Sequence, residues 1–129
     1  MEFFSKYHYP FSVLGLNEKV NAFKEGAVKN YKAENLRKIF GLIDLTSLNS
    51  TDSISKIKGM CQKVNSFKAS YPDFPSVAAI CVYPNFVKTV KETLNDKNVS
   101  IACVAAGFPS SQTFLKIKLE ESKMAVEQG

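Results

Sequence analysis

Tryptophan is absent from this chain, histidine and arginine occur once each, and cysteine occurs three times in 129 residues. Each scarcity excludes something. With His8 as the only imidazole, no histidine-rich metal set and no visible catalytic triad can be assembled. Cys61, Cys81 and Cys103 make an odd count without a C-x-x-C pair, which reads as reduced and intracellular rather than as a disulfide framework. The net charge of +5 rests on lysine, with Arg37 the sole guanidinium. Nucleic-acid recognition favours arginine forks and clustered basic patches, and neither occurs here. No apolar run approaches the ~18 residues of a membrane span, so no membrane is expected. The N-terminus has no apolar stretch of signal-peptide type, so a cytoplasmic setting is expected. With 45% apolar residues the chain can bury one real core, which excludes disorder and collagen-like classes.

What is present is a change of period along the chain. Residues 1–16 are aromatic and irregular. Leu16, Val20, Phe23, Ala27 and Tyr31 then recur at helical spacing, with Asn17 as a plausible N-cap, and a second helix is predicted from Ala33 to Phe40. Gly41 to Thr46 reads as a strand buried on both faces. Ser50-Thr51-Asp52 supplies the cap of a helix carrying Ile54, Ile57, Cys61 and Val64 inward. Val77 to Tyr83 is a second apolar strand, and Pro84 opens the next helix, with Phe86, Val90 and Leu94 inside. Val99 to Gly107 is a third strand. Leu115, Leu119, Ser122 and Val126 mark a last helix that stops at Gly129. Apolar strands alternating with amphipathic helices imply an α/β fold with a parallel sheet. The expected organisation is one domain over 1–129: a helical extension over 1–40, then three βα units over 41–129.

Few residues suggest chemistry. Asp44 interrupts an apolar strand, and alternation puts Leu42, Asp44 and Thr46 on one face. Two readings stay open: a carboxylate near an active site, or a buried structural carboxylate held by backbone N–H groups. Cys81, on the face of Ala79 and Tyr83, is a small core residue or a thiol near a site. Cys61 and Cys103 read as core. Gly107-Phe108-Pro109-Ser110-Ser111 opens a helix after a strand, where an anion could sit, yet no phosphate-loop motif accompanies it. None of the lysines falls in the three strands, so no Schiff-base lysine is on offer.

Three segments together resemble one family. Gly41-Leu42-Ile43-Asp44-Leu45-Thr46-Ser47-Leu48-Asn49 is similar to the D-L-T-x-L first strand of deoxyribose-phosphate aldolase. Val77 to Pro84 is similar to its A-A-I-C-V-Y-P second strand. Val99 to Pro109 resembles the third, although it ends Ala105-Ala106-Gly107 where many members carry a Thr-Asn-type pair. Lys118 to Gly129 is similar to the E-x-x-x-A-x-x-x-G helix that follows. The resemblance runs from about Leu36 to Gly129 and implies the N-terminal half of a (β/α)₈ barrel. It further implies a class I aldolase cleaving 2-deoxyribose 5-phosphate to acetaldehyde and glyceraldehyde 3-phosphate, without a metal or other cofactor. The family's Schiff-base lysine lies on strand six and its relay aspartate on strand four, so no catalytic residue falls within these positions. What carries over is supporting: Asp44 at the polar base of the site, Thr46 and Leu48 at its rim, and Cys81 beside the substrate channel.

Three consequences follow for the chain alone. It is expected to lack aldolase activity. Its substrate in the full-length family is a small phosphorylated sugar. Its open strand edges invite self-association, unless residues 1–16, with Phe3, Phe4, Tyr7, Tyr9 and Phe11, fold over the open face. The reading from another class is a non-catalytic α/β interaction or anion-binding module using the turn at Phe108 to Gln112.

Overall fold

The computed structural model describes residues 13–129, so the aromatic residues before them and His8 lie outside the described part. The chain divides into two compact units, Met1–Leu36 and Arg37–Gly129. The described part of the first contains α1 (Val13–Asn30) and the start of α2 (Ala33–Phe40). Asn17 is not an N-cap, because α1 already runs from Val13. No proline intervenes between Val13 and Asn17, and the glycine at 15 costs only about 1 kcal/mol, so the helix continues through the residue expected to start it. The link to α2 is tied locally, the Asn35 side chain donating to the Asn30 carbonyl at 3.0 Å.

The second unit is a three-stranded parallel sheet in the order β1 (Asp44–Thr46), β2 (Ala79–Val82), β3 (Ser100–Cys103). Asp44 lies opposite Ala79 and Thr46 opposite Cys81, while Cys81 lies opposite Ala102. Helices α3 (Ile54–Ser70) and α4 (Val87–Thr93) connect these strands, and α5 (Leu115–Gln128) follows β3. Parallel neighbours require such crossovers, and the helices bury one face of the sheet. Ile80 and Val82 are fully buried there with Ile57, Cys61 and Val64 of α3 and Phe86, Val87, Val90 and Leu94 around α4. Leu45, Ile101 and Cys103 pack against the same core. The inward residues expected on α3 and α4 are therefore the ones inside, except Ile54, which is exposed.

The first strand is shorter and more open than expected. Gly41 and Leu42 instead close α2, the Gly41 N–H donating to the Arg37 carbonyl at 3.1 Å. Leu42 is 76% exposed and Asp44 and Thr46 are exposed, so this strand is half-buried at Leu45 only. The cap of α3 is Ser53 rather than the Ser50–Asp52 segment, its hydroxyl accepting from Lys56 N–H at 3.3 Å. Asp52 is engaged elsewhere, as described below. Pro84 opens a short 3₁₀ turn (Pro84–Phe86) that leads into α4, where its fixed φ is an asset.

Two packing features were invisible to periodicity. Phe40, Phe67, Tyr71 and Phe74 form an aromatic cluster, Phe40 stacking on Phe67 at 5.1 Å between ring centres. Arg37 lies over the Phe74 ring at 5.3 Å, which gives the single guanidinium a structural contact. The second feature is α5, which packs inward through Ala125. Leu115, Leu119 and Val126, which with Ser122 marked this helix in the sequence, are 70%, 62% and 80% exposed. At Gly129 an added Cβ would lie 2.7 Å from a Val87 methyl, so small residues are what let the end of α5 approach α4.

Candidate functional site at the carboxyl ends of the strands

In parallel α/β folds the loops beyond the carboxyl ends of the strands carry chemistry. Here the loop after β1 is built around one carboxylate. Asp52 Oδ1 accepts from the Ser47 hydroxyl at 2.9 Å, and its Oδ2 accepts from Asn49 N–H at 3.1 Å. Lys56 Nζ reaches the same carboxylate at 2.5 Å, and the Asp52 side chain is only 1% exposed. The Lys56 hydrogen bond, with help from Ser47 and Asn49 and against the cost of shielding, holds the Asp52 carboxyl down at about 2. The loop is also sewn to the second strand. Ser47 N–H donates to the Cys81 carbonyl at 3.0 Å, and the Tyr83 hydroxyl to the Leu48 carbonyl at 3.3 Å.

The four supporting residues named from sequence lie at different heights and in different states: Asp44 opens β1 in register with Ala79, the first residue of β2, while Thr46, Leu48 and Cys81 lie towards the carboxyl end. Asp44 is exposed, which corrects the buried reading: it lies on the outer strand β1, although its in-register neighbour Ala79 on the middle strand is buried. Thr46 is exposed, and its hydroxyl donates to the Asp44 carbonyl at 2.9 Å. Leu48 is half-buried, pinned through its carbonyl to Tyr83. Cys81 is half-buried between Thr46 and Ala102 in register. Burial pushes the Cys61 thiol up, and burial, then the neighbouring Cys81 and Glu121, does the same to Cys103. Both thiols stay protonated and poorly nucleophilic near neutral pH.

The turn after β3 has an internal anion of its own. Gly107 N–H donates to Glu121 Oε2 at 2.8 Å, and the Ser111 hydroxyl donates to the Ala106 carbonyl at 2.8 Å. Ala106 (φ 58°) and Gly107 (φ 74°) are both left-handed, a conformation uncommon for alanine, so the carboxylate tethers a strained corner. An incoming phosphate finds these donors taken. A cleft of about 460 Å³ alongside is lined by Tyr83, Pro84, Asn85 and Met124 together with Glu120 and Glu121, two carboxylates that disfavour an anion. Among the described residues no group of three or more His, Cys, Asp or Glu could hold a metal ion.

Sequence reasoning missed Ser47, Asp52, Tyr83 and Glu121. Glu121 carried a signal, since Glu121, Ala125 and Gly129 are spaced four apart on one helix face. The structure explains that spacing: the carboxylate holds the turn, the alanine is buried, and the glycine abuts α4.

Similarity to known proteins follows this geometry. No family model matches the chain. Human deoxyribose-phosphate aldolase is 36% identical over 133 residues, covering 92% of this chain and 40% of its own length. This chain is a relative of the deoxyribose-phosphate aldolases. The deoxyribose-phosphate aldolase of Caldicellulosiruptor saccharolyticus is 37% identical over 93 residues, 72% of this chain and 38% of its own. A crystal structure from Coccidioides immitis, of a protein assigned to the deoxyribose-phosphate aldolases, superposes with a TM-score of 0.63 at 23% identity. It covers 97% of this chain and 40% of that one, which carries the fold. A solved aldolase called QR15 aligns over 70% of the chain with a TM-score of 0.57. The chain thus spans about two fifths of the length of the aldolases it matches, and its sheet is a partial barrel of their kind. No helix among the described residues is long and apolar enough to cross a membrane.

Proposed function

We propose that residues 41–129 supply the first three βα units of a deoxyribose-phosphate aldolase barrel, with residues 1–40 as a helical extension of the same domain. The reaction on this reading is the reversible cleavage of 2-deoxyribose 5-phosphate to acetaldehyde and glyceraldehyde 3-phosphate through a lysine Schiff base, in a cytoplasmic setting. The observation that supports it is the 36% identity to a named aldolase, over a sheet whose register sets Thr46 beside Cys81 and Asp44 beside Ala79. Asp44 supplies the polar base of the site, Thr46 and Leu48 its rim, and Cys81 one wall of the channel. Asp52 and Glu121 hold the loops that carry them.

The nucleophile is not among these groups. A Schiff-base lysine needs a lowered pKa from desolvation or a neighbouring cation. The three described strands contain no lysine at all. The lysine, the relay aspartate and the phosphate loops belong to the remaining strands, so this chain alone is inactive. Borohydride trapping with acetaldehyde tests this: no specific adduct of about 26 Da, the mass of a reduced two-carbon imine, is expected on any lysine. One stoichiometric adduct on a single lysine would overturn the assignment.

A further inference from the structure

Charge is sorted around α5. The helix carries Lys116, Lys118 and Lys123, yet none of them lies on the face turned towards the 3₁₀ turn at Pro84–Phe86. That face is made by Ile117, Glu120, Glu121 and Met124, which recur three and four residues apart and so share one side of the helix. With Tyr83 and Pro84 they line the cleft of about 460 Å³ between turn and helix. The chain has 17 basic residues against 12 acidic ones, but among the described residues no basic side chain lines this cleft, whereas two carboxylates do. Lys123 is turned aside to Glu127, at 3.9 Å.

Several of the walls are fixed in advance. The Tyr83 hydroxyl is anchored on the Leu48 carbonyl at 3.3 Å, and the ring of Pro84 locks its own backbone. Glu121 Oε2 accepts from Gly107 N–H at 2.8 Å, so this carboxylate is held before anything enters. These groups suit an organic cation. Carboxylates pair with its charge, a tyrosine ring attracts it through the quadrupole, and a methionine thioether moulds to an apolar body. A metal ion is poorly served, because no three ligating side chains converge among the described residues. The volume falls in the range of small-molecule pockets, roughly 300–1,000 Å³.

We propose that this cleft binds a small organic cation: a primary ammonium group on a short apolar or aromatic body. The ammonium sits at Glu120 and Glu121, and the body lies among Tyr83, Pro84, Ile117 and Met124. The proposal goes beyond the aldolase reading, whose phosphorylated sugar is an anion that this lining disfavours, and does not rest on it. All of the lining comes from residues 83–128.

The test is calorimetric titration of this chain with 2-phenylethylamine, compared with the neutral 2-phenylethanol and the anion phenylacetate. Saturable one-to-one binding of the amine is expected, at least about tenfold tighter than the alcohol, with no binding of phenylacetate. Glu120→Gln, at an exposed position, should weaken the amine about threefold or more. Met124→Lys puts a fixed cation into the cleft and should weaken it at least about tenfold. Val126→Lys, on the exposed flank outside the cleft, should leave it unchanged. Thermal melts check that the variants keep the fold, and the Met124 methyl resonance of the native chain gives a readout that needs no variant: it should shift and saturate with the amine. No saturable binding, equal affinity for the alcohol, an unmoved Met124 signal, indifference to both cleft substitutions in folded variants, or an equal loss in Val126→Lys would each overturn the proposal.

Discussion

The two faces of this sheet are made by alternate residues of the same strands and meet opposite surroundings. On one face Ile80 and Val82 are fully buried beneath α3 and α4. On the other, Asp44 and Thr46 are exposed and Cys81 is half-buried, with only the small Ala79 buried. The helix face pays for the fold; the bare face carries the groups assigned to chemistry. In a closed barrel both faces would be covered, and stability and function would be hard to separate. Here alternation has sorted them, so substitutions on neighbouring residues should act on different properties.

The sharpest contrast is expected at Ile80. Ile80→Ala removes a fully buried side chain from the centre of the sheet and should cost about 2–5 kcal/mol in urea unfolding. A loss below about 1 kcal/mol would show that the helix face does not hold the unit together.

An intermediate effect is expected in acid, at the carboxylate that ties the loop to the strands. Asp52 has its folded pKa lowered to about 2, against an unfolded value near 4. A depressed carboxylate stabilises above its unfolded pKa and loses that contribution as pH falls through its folded one. The stability gap between the native chain and Asp52→Asn should therefore be constant from pH 5 to 7 and close between about pH 4 and 2. Denaturant titrations at each pH check this, and a gap that persists unchanged at pH 2 would refute the linkage.

The smallest effect belongs to the bare face. Asp44→Ala should change the stability of this chain by no more than about 0.5 kcal/mol, since the carboxylate is exposed. A cost of 1–3 kcal/mol, as for a buried carboxylate whose donors are orphaned, would mean that something covers that face in solution. Sedimentation of the chain alone, for which the sequence led to an expectation of self-association, identifies whether a second copy does so.

Much of the fold was legible because large apolar residues report burial well when their element has one partner layer. The inner faces of α3 and α4 follow that rule, and α2 runs from Ala33 to Phe40 as the spacing predicts. The rule fails on α5. Leu115, Leu119 and Val126 have the period of a core stripe, but the surface they would meet is not supplied by these strands, and a period cannot name its partner. Packing falls instead to Ala125 and Gly129, residues too small to register in a hydrophobic pattern. The site was half legible for a related reason. Asp44 drew attention by interrupting an apolar run, whereas Asp52 sits in a polar loop where carboxylates are ordinary, and only the geometry of Ser47, Asn49 and Lys56 distinguishes it.

The bond between Glu121 and Gly107 gives α5 a second office. A 14-residue helix is a rod about 21 Å long that moves as one body. Its flank bears Leu119 and Val126, and its inner side holds the corner at Gly107 by a single carboxylate. The same helix therefore carries both an exposed apolar flank and the carboxylate that holds the left-handed corner at Ala106 and Gly107.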